Sequence, residues 1–69
     1  MQTRTLKLSN SFIDKLVNLP ETGMGYQTVK VILKNGKVLH QHKVLNAELL
    51  MLEENEHITE KDIEMIEIE

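Results

Sequence analysis

Three histidines and a dense set of carboxylates are the side chains of this 69-residue sequence with the most obvious chemistry. His40 and His42 stand two residues apart, so on a regular β-strand both imidazoles point to one side and can share a metal ion. Closing such a site takes a third or fourth ligand, and His57 or the nearby glutamates are the groups placed to supply it. Two histidines fall short of that set. The expectation is therefore no bound metal, with His40 and His42 as the weak candidates and two exposed imidazoles beside Lys43 as the plainer reading. Without a cysteine there is neither a thiolate ligand nor a disulfide, which fits a reducing compartment. No serine sits in a context that presents a nucleophile. The acids cluster in one C-terminal run rather than facing each other as a pair. No catalytic residue and no cofactor are expected; a metal-dependent site assembled between subunits is the one enzymatic alternative.

Two short motifs carry meanings that their surroundings remove. Residues 19–23 read LPETG, a full match to the LPxTG signal that sortases cleave. That signal needs an apolar membrane segment and a basic tail directly after it, and an export signal at the N-terminus. Here no long apolar run follows Met24, the chain ends acidic, and the first twelve residues lack a signal peptide's apolar stretch. The expectation is no sortase substrate and no membrane span. Gly23-Met24-Gly25 invites comparison with a phosphate cradle, but the dinucleotide fingerprint requires a preceding strand, a third glycine and a following helix. Here the two glycines are expected to serve as a hinge.

Net charge is −3, unevenly placed: residues 1–52 carry seven basic and three acidic groups, residues 53–69 one lysine and eight acids. The acidic run reads as a solvated, glutamate-rich face; its functional alternative is a segment that meets a basic partner. Lys30, Lys34, Lys37 and Lys43 can form a basic stripe. Only one arginine, Arg4, and two aromatics, Phe12 and Tyr26, accompany them. Nucleic-acid binding is not expected from so thin a set, and the lysines are read as guards against edge-to-edge strand pairing.

The elements that position these residues follow from patterning. Thr3–Leu8 reads as a strand with Leu6 and Leu8 on one face. Ser9 or Asn10 caps a two-turn helix whose stripe is Phe12, Ile13, Leu16 and Val17. Pro20 stops it. Tyr26–Leu33 is the clearest strand, with Val29, Val31 and Leu33 alternating against Thr28 and Lys30, and Ile32 alone breaking the pattern. Lys34-Asn35-Gly36-Lys37 marks a hairpin with two possible registers. A two-residue loop sets Val29 opposite His42. A three-residue loop with left-handed Gly36 sets Val31 opposite Leu39 and keeps both histidines off the apolar face, and it is preferred for that reason. Ala47–Glu54 is undecided between helix and strand, since Leu49–Leu52 is a four-residue apolar run. Thr59–Asp62 fits a capping box over one helical turn, and Ile63–Ile68 reads as a last strand at a sheet edge.

LPETGMGYQTVKVILKNGKVL is similar to a stretch found in a group of small bacterial proteins without an established function. Those proteins share a Leu-Pro-x-x-Gly-Met-Gly-Tyr turn, a hydrophobic strand and a Lys-(Asn/Asp)-Gly turn. Their C-terminal Thr-Glu-x-Asp-Ile element is matched by Thr59, Glu60, Asp62 and Ile63. The resemblance covers residues 19 to about 66. It implies a compact cytoplasmic bacterial protein, no particular activity, and a strand over Ala47–Glu54. The order of helix and hairpin also resembles the Sm-like RNA-binding barrel, which implies RNA binding. Such barrels carry a second glycine and an Asp…Met-Asn element where this chain reads HQHKVLNAELLML.

The resulting expectation is a single domain over residues 1–69, mainly β (α+β), a small curved sheet or open barrel with one short N-terminal helix. A chain this short and this aliphatic gains stability by hiding apolar surface against a copy of itself. Its expected function is that of a non-catalytic protein-interaction or oligomerisation module that self-associates. Met24 and Tyr26 are the candidate interaction residues.

Overall fold

The computed structural model describes residues 4–69. The chain runs β1 (Arg4–Lys7), α1 (Asn10–Val17), β2 (Tyr26–Leu33), β3 (Val38–Leu45), β4 (Leu49–Leu52), a single 3₁₀ turn (Glu60–Asp62) and β5 (Ile63–Ile68). Thr3, assigned to the first strand by its sequence, lies outside the described residues. All four pairings are antiparallel, in the order β1-β4-β3-β2-β5. The fold is mainly β, and of the two expected forms it is the open sheet: β1 and β5 are its edges and do not meet to close a barrel. Leu49–Leu52 is a strand, buried at Leu50 and Leu52. Four residues suit a strand but leave a helix too short to complete a stable turn pattern.

One face of the sheet holds the core. Val29, Val31, Leu33, Leu39, Val44, Leu50, Leu52, Ile63 and Ile66 are buried there together with Leu8 and Leu16. Helix α1 covers this face with Leu16 fully buried and Phe12 and Ile13 packed against the cluster. Val17, expected in the same stripe, is 59 % exposed. One residue advances a helix by about 100°, so with Leu16 pointing straight at the sheet Val17 turns to its flank. Ser9 occupies the N-cap position, but its side chain makes no cap bond and its Oγ lies 3.1 Å from that of Ser11. At the other end Asn18 Nδ2 donates to Asp14 O at 2.8 Å. Lys15 Nζ donates to Ile66 O at 2.6 Å and ties the helix to the outermost strand.

The β2–β3 hairpin begins in the three-residue register. Leu33 N–H donates to Lys37 O at 2.8 Å, Gly36 sits at φ 93°, and Val31 opposes Leu39. That register does not last. Between Val31 and Val29 the pairing shifts by one residue, with Gln41 at φ 56°, and Val29 then opposes His42. The bulge lets Leu39 and Val44, five residues apart, both face the core. It also carries His42 onto the core side.

Candidate functional site

The bulge decides the fate of the histidine pair. His40 follows core-facing Leu39 and lies on the uncovered face with its side chain 64 % exposed; the His42 side chain is 10 % exposed. The regular strand that would aim both imidazoles one way is broken between them. His40 Nδ1 lies 2.6 Å from Glu69 Oε2, while Glu69 Oε1 accepts the Gln41 N–H at 2.6 Å, so this carboxylate satisfies the amide that the bulge turns out of the ladder. These two donors hold the Glu69 carboxyl below its ordinary range.

His42 is drawn into a different arrangement. Its Nδ1 faces the His40 carbonyl at 2.9 Å and its Nε2 faces both oxygens of Glu56 at 2.8 and 3.0 Å. A carbonyl and a carboxylate only accept, so the contacts on both ring nitrogens favour the doubly protonated imidazolium form. Burial pushes its pKa down, but the Glu56 bond, the His40 carbonyl and the charges of Glu56 and Glu53 outweigh that and raise it above 6.5. Burial likewise pushes Glu56 up, and the Glu53 N–H, His42 and Lys37 outweigh it, leaving Glu56 below its ordinary 4.5. Arg4 Nη1 donates to Glu56 O at 3.0 Å and to His57 Nδ1 at 2.7 Å. The Glu53–His57 loop is thus latched to β3 and β1 by charge. His57 spends its Nδ1 lone pair on a guanidinium. Among the described residues no three His, Asp or Glu side chains converge as a metal site.

The LPETG segment is an edge cover. Strand β5 pairs with β2 from Val29 to Leu33 and Glu69 N–H still reaches Thr28 O at 2.9 Å, which leaves the Tyr26 carbonyl and the Thr28 N–H uncovered on that side. Thr22 takes the place: its N–H donates to Tyr26 O at 3.0 Å and its Oγ1 accepts the Thr28 N–H at 2.8 Å. Gln27 fixes the same segment from beneath. Its Nε2 lies 2.8 Å from Leu16 O, 3.2 Å from Leu19 O and 3.4 Å from Pro20 O. Gln27 is 2 % exposed and the only buried polar residue among those described. The signal in the sequence that places it on the core face is its alternation with Val29 and Val31.

Gly23 and Gly25 make different contributions. Gly25 adopts φ 82°, open to glycine at little cost. Gly23 has no such angle, but a Cβ there would overlap the Tyr26 ring. The Tyr26 ring therefore occupies the space a side chain at residue 23 would need, with Lys43 Nζ 5.0 Å from its ring centroid. Met24, at the tip of the turn, is fully exposed.

The remaining surface is the sheet face opposite α1. Register places Ile32 there, between Val38 on β3 and Met65 on β5. Val38 and Met65 are 37 % and 41 % exposed. Ile32, which broke the alternation in the sequence, is the middle of an apolar row crossing three strands. A second row, Tyr26–Leu45–Leu49, crosses β2, β3 and β4. Between the rows stand Lys30, His40 and Lys43, and Lys30 pairs with Glu67 at 3.4 Å. The lysines expected to guard edges belong instead to the interior strands and the hairpin between them; the edge strands carry Arg4 and Lys7 on one side and Glu64 and Glu67 on the other. No helix among the described residues is long and apolar enough to cross a membrane. No family model, curated protein or solved structure matches this chain.

Proposed function

We propose that this protein is a non-catalytic interaction module that self-associates through the sheet face left uncovered by α1. The observation that supports this reading is the Val38–Ile32–Met65 row. Three large aliphatic side chains stand side by side across three strands on a face that no described element packs against. Isolated exposed apolar residues are ordinary, but a contiguous row framed by charged side chains is the composition of a contact surface. A two-layer domain with one short helix has little core to spare, and covering this row adds to it.

Light scattering on size-exclusion fractions at micromolar concentration tests the reading. The expected result is a defined oligomer for the wild type and a monomer for Ile32→Glu, with the far-ultraviolet circular dichroism of the two superimposable. A strictly monomeric wild type that also retains no protein from a cell extract refutes it. Salt-sensitive RNA binding, weakened by Lys34→Glu or Lys37→Glu, would replace it with a nucleic-acid function.

A further inference from the structure

We infer that residues 53–59, in the connection from β4 to β5, form a strap that the His42–Glu56 ion pair holds shut and that opens when either partner loses its charge, while the sheet stays folded. Strand order puts β3 and β2 between β4 and β5, so the connection has to cross both. It crosses on the core side, where Ile58 packs against the buried cluster and Glu56 meets His42. Polar bonds do most of the holding. Of residues 53–59 only Glu56 and Ile58 are half-buried, the rest are exposed, and Ile58 is the one apolar side chain. Opening the strap therefore uncovers little apolar area, and such an element opens at far lower cost than the sheet beneath it.

Glu56 is the hub of these bonds. Its carboxylate takes the His42 ring and accepts the Glu53 N–H at 2.7 Å, its own N–H donates to Glu53 O at 3.0 Å, and its carbonyl accepts from Arg4. The two side chains of the pair are 10 % and 16 % exposed. Neutralising one of them leaves the other's charge largely buried without its counterpart, and opening the strap returns that charge to water. The surrounding charges are Glu53 in the strap, Lys37 in the hairpin and Arg4 on β1, which also holds His57. His40 presents only its carbonyl to the ring, and the β2 and β4 residues beside it, Val29 and Leu52, are uncharged. The His42 pKa is raised, so its charge is present below 6.5 and lost as the pH climbs through the folded value. The Glu56 pKa is lowered, so its charge is present above 4.5 and lost as the pH falls through the folded value. The strap is shut between the two folded values and open on either side.

Nuclear magnetic resonance of methyl-labelled isoleucine tests the strap, because Ile58 belongs to it while Ile66 is fully buried in β5. From near pH 5.5 to near pH 9 the Ile58 methyl order parameter is expected to fall about twofold, with Ile66 unchanged. His42→Gln and Glu56→Gln are each expected to abolish that response. Glu56→Gln alters the strap rather than the sheet, so it keeps the test alive if His42→Gln does not fold. An Ile58 methyl that stays ordered near pH 9, or is already disordered near pH 5.5, overturns the inference. Order lost at Ile58 and Ile66 together also overturns it, since the pair then supports the whole fold rather than the strap. A pH response that survives in the folded variants overturns it by moving the switch to another group.

Discussion

Gln27 is the test of how the turn at residues 19–23 is held. Its Nε2 lies within 3.4 Å of three carbonyl oxygens, but an amide nitrogen has two hydrogens and serves two of them at once. Two such bonds contribute about 2 kcal/mol together. On the other side, Gln27 Oε1 is buried with no protein donor, and a buried lone acceptor costs about 1–3 kcal/mol. Gln27→Met removes both terms at nearly constant volume, so its net effect is expected within about 1.5 kcal/mol of zero. Gln27→Ala loses the bonds and leaves a void, for a cost of about 3 kcal/mol. Gln27→Glu turns a carboxylate toward three carbonyl oxygens, and its cost at neutral pH exceeds about 4 kcal/mol. That is most of the stability of a domain this size. The introduced carboxyl favours its neutral, donating form in the fold, so its folded pKa rises and Gln27→Glu regains stability as the pH falls toward the ordinary carboxyl value. Urea denaturation followed by circular dichroism reads all three. The argument fails if Gln27→Met costs more than about 3 kcal/mol, or if Gln27→Glu proves milder than Gln27→Ala at neutral pH.

The His42–Glu56 pair makes stability depend on pH in both directions. A raised histidine contributes fully below its unfolded value of 6.5 and loses that contribution as the pH climbs through the folded value; a lowered glutamate contributes fully above 4.5 and loses it as the pH falls. His42→Ala should therefore cost about 2 kcal/mol near pH 5.5 and much of that difference should vanish near pH 9, a flat difference being the contrary result. Gly23→Ala should cost about 1–2 kcal/mol through displacement of the Tyr26 ring, and nearly nothing in a Tyr26→Ala background. Tyr26 is the sole tyrosine and there is no tryptophan, so intrinsic fluorescence reports the ring's environment directly; an unchanged emission in Gly23→Ala would contradict the contact.

Much of the local structure was legible in the residues. Tyr26–Leu33 declared itself by alternation, the Asn35-Gly36 turn by the need for a left-handed residue, and the edge position of Ile63–Ile68 by its acids. The Thr59–Asp62 turn forms with the Asp62 carboxylate accepting the Thr59 N–H at 2.9 Å. These depend on neighbours in sequence, where backbone sterics and short-range bonds decide. The histidine geometry was readable only in part. Leu39 and Val44 stand an odd number of residues apart and are both apolar, which regular alternation cannot place on one face, so a bulge was implied in VLHQHKVL. Nothing local said that it would fall between His40 and His42.

The sequence by itself determined that a small aliphatic β-domain with one helix and no disulfide would form, because periodicity and turn chemistry act over a few residues. Only the tertiary structure decided what the distinctive residues are for. LPETG became an edge cover because the β5 side of the sheet reaches no further along β2 than the Thr28 carbonyl. Ile32 became the centre of an apolar row because strand order set Val38 and Met65 beside it. His42 has its imidazolium form favoured because a loop fourteen residues away brought Glu56 to it. Each role arises from a partner distant in sequence, and the energy that selects such partners is the burial of one shared core, which no single segment encodes.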